Sequence, residues 1–481
     1  MRGRYVWFGA LILLIGCTEP EEITEDINVD GADGDVEAKV PRACTTSSGV
    51  HVVWHDNRDG KNAIQYNRSS NGGEAWMPSP ITLNTDKAAA TKPAIACDGD
   101  YVYVVWEDVR DSEYGYQNIY INTSDDGGRH WSEEDTQLDA DPEGDHISIT
   151  PQVVADGDNA YVVWADGVNG AYDIYVQATT NGGKRWLDEP VRVDTNADGA
   201  AYSANPQIGT DGDGTVVVVW EDRRDGASDI YANFSTNKGA TWSEDDIRID
   251  GGDDKGASDS FAPQLAMGEG AVYAVWHDNR HGENQAVMIN GSTEGGADWW
   301  NDAQRVETDA LDIADSQAPR VGLGAGRVHV VWQDNRAGGY DIFYRSKEIG
   351  EKEWDLEADE GETEEVRLES DWPGEAQSYE PVLDVVGSSV MVAWRDFRND
   401  TGDSTNDLYY NYSNDGGESW QGDDFRINST APGSTFVTDP YIRRVEDGFA
   451  AIWADGRTGQ SRIWAAAREI GAESKYEEPE E

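Results

Sequence analysis

A unit of about 56 residues occurs eight times along this chain of 481 residues. Each copy has a proline thirteen or fourteen residues before a tryptophan that closes a valine-rich segment. The proline and tryptophan pairs are Pro41/Trp54, Pro93/Trp106, Pro151/Trp164, Pro206/Trp220, Pro263/Trp276, Pro319/Trp332, Pro381/Trp394 and Pro440/Trp453. Because eight of the 16 prolines occupy this one position, chance does not explain the pattern. A repeat of this length with strand signals predicts the blade of a propeller or the unit of a β-array.

One copy, residues 205–250, shows how a blade would be built. A proline-led segment at 206–208 opens the first strand, and a β-branched run at 216–220 forms the second. Residues 229–234 and 247–250 supply the third and fourth strands. Short polar turns separate the four segments, so each unit predicts a four-stranded antiparallel sheet.

The ends of the chain predict how the ring closes. The eighth unit stops after its third strand, whereas residues 26–30 have the form of a fourth strand and stand before the first unit. Pairing residues 27–29 with the last unit would leave no open sheet edge. The sequence therefore predicts an all-β fold, an eight-bladed β-propeller closed by an N-terminal strand that completes the last blade.

The hairpin between the third and fourth strands carries a recognisable motif. Residues 124–131 and 413–420 match Ser/Thr-x-Asp-x-Gly-x-x-Trp, and looser copies stand at 69–76, 179–186, 235–242, 292–299 and 347–354. The motif resembles the Asp-box of bacterial neuraminidase repeats, and the chain resembles sialidase-like Asp-box propellers over most of residues 27–468. In that family the Asp-box is a folding element on the face away from the substrate. The resemblance thus implies a fold rather than an activity.

No catalytic residue can be transferred from that family. Its enzymes usually carry a Phe/Tyr-Arg-Ile-Pro segment before the first Asp-box, where this chain has Val40-Pro41-Arg42-Ala43. The catalytic members of that family also have six-bladed rings, whereas this sequence has eight units. We therefore predict a binding or adhesion platform for glycan or a cell-surface protein. The alternative is a divergent sialidase-like glycoside hydrolase that acts on acidic polysaccharide.

The N-terminus resembles a lipoprotein signal peptide. Residues 1–16 hold two arginines and an apolar stretch too short to span a bilayer, which takes about 20 residues. Cys17 would be lipidated, residues 17–22 would form an acidic tether, 23–468 the propeller and 469–481 an acidic disordered tail. The prediction is an exported protein anchored by lipid to the outer side of a cell membrane. An ordinary secretory signal with a chance cysteine is the alternative.

Charge narrows the choice of partners. The chain has 94 acidic and 37 basic residues and a formal net charge of −57. Such a field repels nucleic acid and anionic lipid surfaces, so the predicted membrane contact is through the lipid anchor alone. We also expect a monomer. Scarce lysine beside abundant acid fits adaptation to high salt, where counter-ions screen the repulsion. A surface that holds divalent cations is the other interpretation.

Two loops that follow a fourth strand resemble the start of a Ca²⁺ loop. Oxygen ligands alternate before a glycine, and the candidate ligands are Asp139, Asp141, Glu143, Asp145, Asp194, Asn196 and Asp198. Neither loop has the glutamate at position twelve, and this spacing also arises by chance in so acidic a chain. Ca²⁺ is the one cofactor that the sequence indicates.

Two cysteines remain after Cys17, near the starts of the first strands of units 1 and 2. Cys44 and Cys97 lie three and four residues after their prolines. Opposite parity in adjacent blades can point the two side chains at each other. A disulfide, in an exported chain, and two buried free thiols both remain open.

A Trp-x-Asp-x-Arg motif follows the second strand in seven units and has valine in place of arginine at Val168. Such pairs could bind a sugar acid, but their repetition favours a structural salt bridge between blades.

A ligand site is expected where one unit differs from the others. The turns after the second strand are longest in units 2 and 7, and the predicted ligand-binding residues there are Asp111, Tyr114, Tyr116, Asp400 and Asp403. A tolerated insertion is the alternative.

Overall fold

The computed structural model describes residues 25–469 except 33, 87, 142–143, 311–312, 355–364, 403 and 447. These residues form 32 strands in eight four-stranded sheets, and no α-helix occurs among them. Within the same ranges, no helix has the length and apolar character needed to cross a membrane. Cys17 and the proposed signal peptide, tether and most of the tail lie outside the described residues.

Each sheet is one blade, and its strands are called A to D from the channel outwards. The A strands of blades 1 to 8 are β2 (Ala38–Thr46), β6 (Ala90–Asp98), β10 (Ser148–Asp156), β14 (Ser203–Thr210), β18 (Ser260–Gly268), β22 (Ser316–Gly324), β26 (Ser378–Val386) and β30 (Val437–Val445). The B strands are β3 (Gly49–Asp56), β7 (Tyr101–Asp108), β11 (Asn159–Asp166), β15 (Val216–Asp222), β19 (Ala271–Asp278), β23 (Arg327–Asp334), β27 (Ser389–Asp396) and β31 (Gly448–Asp455). The C strands are β4 (Ala63–Ser69), β8 (Asn118–Ser124), β12 (Asp173–Thr179), β16 (Asp229–Ser235), β20 (Ala286–Ser292), β24 (Asp341–Glu348), β28 (Asp407–Ser413) and β32 (Arg462–Glu469).

The D strands are two residues long, shorter than the sequence predicts. They are β5 (Ile81–Thr82), β9 (Thr136–Gln137), β13 (Val191–Arg192), β17 (Ile247–Arg248), β21 (Gln304–Arg305), β25 (Val366–Arg367) and β29 (Phe425–Arg426) in blades 1 to 7. In blade 8 the D strand is β1 (Ile27–Asn28), which pairs antiparallel with β32 so that Ile27 lies opposite Ala465. The eight-bladed all-β ring and its closure by the N-terminal strand are therefore confirmed.

The core lies between the blades. The eight repeated tryptophans that close the B strands are fully buried, and buried apolar side chains form clusters that each join two neighbouring blades. In seven blades the indole Nε1 donates to the aspartate two residues later, for example Trp106 to Asp108 at 3.0 Å. The β-branched B strands thus bury both faces, as their sequences predict.

Every repeated proline follows a residue in the left-handed region. The residues just before the eight prolines have φ between 49° and 56° and are Val40, Lys92, Thr150, Asn205, Ala262, Ala318, Glu380 and Asp439. Each A strand has a register shift at this point, as between Lys39 and Arg42. A neighbouring blade satisfies the freed amide in places: Glu107 accepts from the Thr150 N–H at 2.9 Å and Glu221 from the Ala262 N–H at 2.7 Å. The proline and its bulge therefore shape the channel wall and connect adjacent blades.

Strand direction gives the ring two faces. The B–C turns and the D–A loops lie on one side, called here the loop face. The A–B turns and the C–D hairpins lie on the other, called here the Asp-box face. A disulfide joins Cys44 of β2 to Cys97 of β6, with 6.0 Å between the Cα atoms, and so links blades 1 and 2.

Candidate functional site

Exposed apolar side chains are concentrated on the loop face. Among the described residues, seven large apolar side chains are strongly exposed, and six lie in B–C turns or D–A loops: Tyr114, Val168, Tyr202, Ile313, Trp372 and Phe436. The seventh, Val386, ends an A strand on the Asp-box face. Scattered exposed apolar residues are normal, but this bias toward one face marks it as the candidate binding surface.

One part of the loop face holds a connected group of rings, called here the aromatic sector: Tyr340, Tyr379, Phe397, Phe436 and Arg395. The Tyr340 and Tyr379 ring centroids are 5.4 Å apart, and those of Tyr379 and Phe397 are 5.7 Å apart. The Arg395 guanidinium lies 5.8 Å from the Phe397 centroid and 5.1 Å from that of Phe436. The group thus spans blades 6, 7 and 8.

Hydrogen bonds hold this sector in place. The Tyr340 hydroxyl donates to Asp315 at 3.0 Å, and the Tyr379 hydroxyl donates to Gln377 at 2.9 Å. Burial and the Asp315 carboxylate raise the pKa of Tyr340, which therefore stays neutral. Arg395 pairs with Glu380 at 2.9 Å, and Glu380 is exposed. Rings with fixed orientation and a polar pair between them can stack on a ligand while they bind its polar groups.

The sequence analysis missed this sector because it looked for inserted residues. Its members stand at ordinary repeat positions, where other blades have different side chains. In blade 1, for instance, Lys39, His55 and Asn57 stand where blade 7 has Tyr379, Arg395 and Phe397. These three positions vary among the units, and a comparison would have shown only that unit 7 has aromatic side chains, Tyr379 and Phe397, at both the first and the third of them.

The two lengthened turns are both on the loop face but do not lie together, since blades 2 and 7 are three steps apart in the ring. Tyr114 is 71% exposed, and its ring centroid is 6.0 Å from that of Tyr116. Asp111 accepts a hydrogen bond from the Tyr120 hydroxyl. Asp400 caps its own turn by accepting from Gly402 N–H at 3.0 Å. Asp403 lies outside the described residues, and ligand binding by these turns stays a prediction.

The second predicted cation loop surrounds an arginine. Arg192 Nε donates to Asp194 at 3.1 Å, and its two Nη groups reach Asn196 and Asp198. Burial raises the pKa of Asp194 to about 6 despite this partner. A guanidinium thus supplies the positive charge among these oxygens.

Blade 2 differs because Gln137 replaces the D-strand arginine. Gln137 Nε2 donates to Asp139 Oδ1 at 2.9 Å, and burial raises the pKa of Asp139 to about 7. Asp141 Oδ2 accepts from His146 N–H at 2.7 Å, and Asp145 is exposed. Glu143 lies outside the described residues. A Ca²⁺ site here remains a prediction, favoured by two buried carboxylates, Asp139 and Asp141, that form no ion pair with an arginine of the described ranges.

A third acidic group has the same plan as the second loop. Among the described residues, Asp341, Glu369 and Asp371 hold oxygens within 4.8 Å of one another. Arg367 Nη2 is bonded to all three, at 2.8, 2.9 and 2.5 Å. Burial and the carboxylates of Asp396 and Asp341 raise the pKa of Glu369. This group is an arginine-centred ion cluster.

The arginines of the Trp-x-Asp-x-Arg motif lie in the B–C turns of the loop face and are largely buried. Arg110 lies 4.0 Å above the Tyr120 ring and bonds Asp108 and Asp135, all in blade 2. Asp135 also accepts from Thr85 N–H at 2.8 Å, in the loop that arrives from blade 1. Blade 4 repeats the plan with Arg224, Asp222 and Asp246. In these two blades the ion pairs lie within the blade, and a backbone amide joins them to the preceding one. In blades 5 and 6, Arg280 and Arg336 also lie 3.9 Å from Asp253 and Asp309, in the loops that arrive from the preceding blades.

The channel wall carries arginines of a different kind. Arg42 and Arg320 donate to the carbonyls of their preceding prolines at 2.8 and 3.0 Å, and neither guanidinium has an ion pair within 4.0 Å among the described residues. Burial and the charge of Arg42 lower the pKa of Arg320. Because blades 1 and 6 are not neighbours, the two charges interact across the channel. Tyr441 lies beside them, 5.9 Å from Arg42.

Comparisons with known proteins give no family. No family model matches the sequence, and no curated protein matches it. Solved structures similar in shape include an ulvan lyase of a polysaccharide lyase family (TM-score 0.46, 10% identity, 92% of this chain and 96% of that one). A sialidase of Trypanosoma rangeli in complex with sialic acid has a TM-score of 0.38 and 10% identity, and the match covers 92% of this chain and 73% of that one. An α-L-arabinofuranosidase of Fusarium graminearum has a TM-score of 0.41 and 14% identity, and the match covers 67% of this chain and 93% of that one. Values this low give no basis for transferring an activity.

Proposed function

We propose that this chain is a lipid-anchored extracytoplasmic propeller that binds glycan through the aromatic sector of its loop face. The observation that carries the proposal is the continuous group of rings around Arg395, which joins side chains of blades 6, 7 and 8 on the loop face. Sugar rings present C–H faces that pack on aromatic rings, and hydroxyls that bind a guanidinium and a carboxylate. Phe436 is 44% exposed, so the sector is open to a ligand.

The position of the first described residues supports an orientation in which the loop face points away from the membrane. Glu25 lines a cavity that opens on the Asp-box face, together with Ser47 and Asn71. Cys17 lies eight residues earlier, a reach of roughly 26–29 Å when extended. A lipid on Cys17 would hold the Asp-box face toward the membrane and present the loop face outward. Cys17→Ser should release the protein from the membrane fraction or block its processing, and unchanged membrane retention would contradict the anchor.

The direct test is a glycan array probed with the Cys17→Ser protein, with and without Ca²⁺, followed by variants against the best glycan. Tyr379→Ala with Phe397→Ala should weaken binding by about 1 to 3 kcal/mol, in line with the loss of ring contacts. Phe261→Ala is the matched control, because Phe261 occupies in blade 5 the position of Tyr379 in blade 7.

Equal losses from both variants, or no loss from the Tyr379 and Phe397 pair, would contradict the proposal. Binding of a protein ligand with no glycan bound would move the proposal to a protein platform.

A second function, hydrolysis of an acidic polysaccharide, is favoured by the channel arginines. Arg42 and Arg320 could bind a sugar carboxylate, and burial raises the pKa of Asp384 beside Arg443, as a general acid requires. Release of reducing ends from an acidic polysaccharide, abolished by Asp384→Asn, would establish it. Binding without turnover would leave the platform as the function.

A further inference from the structure

The C–D hairpins share one packing rule. In seven blades a tryptophan of the hairpin packs at the interface with the preceding blade: Trp76, Trp131, Trp186, Trp242, Trp299, Trp354 and Trp420. Trp131 of blade 2, for example, lies 4.8 Å from the Tyr66 ring of blade 1, and Trp420 of blade 7 lies 4.7 Å from Tyr344 of blade 6. Each hairpin therefore closes the seam between two blades on the Asp-box face.

The seam between blades 7 and 8 is different. Among the described residues it has no hairpin tryptophan. The sequence has no tryptophan after Trp464, and β1 supplies the D strand from the other end of the chain. A cavity of about 1530 Å³ opens on the Asp-box face over blade 8, lined by Val386, Tyr410 and Phe425 of blade 7 and, on its other side, by Ser47 and Asn71 of blade 1. Val386 is 54% exposed, and the Tyr410 ring packs 5.4 Å from Phe425 and 4.8 Å from Phe449. The cavity thus has the aromatic floor on which a hairpin side chain would rest.

The chain that follows β32 has a close parallel in blade 6. Strand pairing aligns Trp464 with Phe343, since each lies opposite its repeated B-strand tryptophan. In this register Glu469-Ile470-Gly471 matches Glu348-Ile349-Gly350. Trp354 follows Phe343 by eleven residues, and Tyr476 follows Trp464 by twelve. Residues 470–476 therefore match the blade 6 hairpin in spacing to within one residue.

Blade 6 shows what such a segment does without a true Asp-box. Ile349 N–H donates to Gly326 O at 2.9 Å, and Gly350 N–H donates to the Tyr273 hydroxyl of blade 5 at 2.7 Å. Trp354 is fully buried, with the Arg345 guanidinium 5.7 Å from its ring centroid. The segment crosses onto the preceding blade and seals the seam with one large ring.

We propose that residues 470–476 dock in the cavity over blade 8, at the seam with blade 7, with Tyr476 in the position that a hairpin tryptophan has elsewhere. The occupant is a segment of this same chain, because β32 ends at the cavity and Arg468 lines it. Arg426 and Arg444 also line it, beside the carboxylates of Glu25, Glu74, Asp424 and Glu446. Chain connectivity and repeat spacing, rather than charge, therefore identify the occupant. This inference revises the expectation of a structureless tail for these seven residues only.

The experiment compares tail variants of the Cys17→Ser protein by thermal melting and hydrogen exchange. A stop after Glu469 and the substitution Tyr476→Ala should each lower the melting temperature by several degrees and speed exchange in β28 about tenfold or more. A stop after Tyr476 is the matched control and should behave as the full chain, as should Tyr476→Phe.

A cysteine pair tests the contact itself, even where a truncation prevents folding. Ser389→Cys, in the cavity wall, should form a disulfide with Tyr476→Cys within one molecule, whereas Phe436→Cys on the loop face should not. Unchanged melting and exchange after the stop at Glu469 would overturn the proposal. So would a disulfide that forms only between two molecules.

Discussion

The two faces of the ring differ in how much they repeat. On the Asp-box face one hairpin design recurs: Ser124 Oγ accepts from Gly128 N–H at 2.9 Å, as Ser413 Oγ does from Gly417 N–H at 2.9 Å. Where asparagine replaces the aspartate, the turn keeps the same hydrogen bond. Asn181 Oδ1 accepts from Arg185 N–H at 2.9 Å, as Asp415 Oδ1 does from Ser419 N–H at 2.9 Å. On the loop face, turn length, exposed rings and ion clusters change from blade to blade. Repetition marks what the fold needs, and variation marks where a ligand can be recognised.

The largest effect is expected where the repeat is completed by the other end of the chain. Deleting residues 23–30 would remove β1 with Val29 and Asp30, both buried, and the Ile463 N–H bond to Asp30 at 2.8 Å. We expect a loss of about 4 kcal/mol or more in the free energy of unfolding, from apolar area and an opened sheet edge. A melting temperature within a degree or two of the intact protein would contradict the closure.

A slightly smaller effect is expected from the part of the loop face that does repeat. Asp222 is fully buried and accepts from Trp220 Nε1 at 3.0 Å and from Arg224. Although burial opposes it, bonding to Arg224 keeps the pKa of Asp222 below its usual value. Asp222→Ala would leave a half-buried guanidinium with one partner fewer, and chemical denaturation should show a loss of about 3 kcal/mol. A loss under about 1 kcal/mol would mean that the motif is not structural.

The pH dependence of stability distinguishes an aspartate of the loop face from one of the Asp-box face. The pKa of Asp139 is raised by burial to about 7, so this carboxyl stabilises the fold most below about pH 4 and loses that contribution as the pH rises through 7. Between pH 4 and 7, the free energy of unfolding of Asp139→Asn should therefore rise relative to that of the parent protein, by at most about 1.4 kcal/mol per pH unit. Gln137→Arg should flatten the dependence by supplying the guanidinium that blade 3 has.

Asp126 on the Asp-box face is the control of opposite sign. Hydrogen bonds from the His130 amide and ring outweigh burial and lower the pKa of Asp126 to about 2. Its stabilising effect is present above about pH 4 and lost as the pH falls through 2. Asp126→Asn should therefore lose stability relative to the parent as the pH rises. Denaturation curves at several pH values that show the same sign for both variants would refute the assignment.

The smallest effect on stability is expected at the longest exposed turn. Tyr114→Ala with Tyr116→Ala should change the free energy of unfolding by no more than about 0.5 kcal/mol, because Tyr114 is mostly exposed. Its effect on binding decides between two parts of the loop face. Loss of glycan binding from this pair, with the aromatic sector variants unaffected, would place the site in blade 2.

The ring could be predicted from the sequence, because the number of blades and the closure follow from a local spacing that recurs in eight units. It did not reveal the left-handed residues before the prolines, since Val40 or Thr150 has no intrinsic preference for that region. Nor did it reveal the aromatic sector. Tyr340, Tyr379 and Phe436 come from three blades, and their meeting depends on the twist and stagger of strands.

The central claim is that ligand recognition belongs to the aromatic sector and not to the Asp-box face. Titration calorimetry with the best glycan tests it by comparing Tyr379→Ala/Phe397→Ala with Asp415→Ala, both in folded protein. We predict that the first pair weakens binding at least about fivefold and that Asp415→Ala leaves the affinity unchanged. Loss of affinity in Asp415→Ala with full affinity in the sector variant would contradict the account.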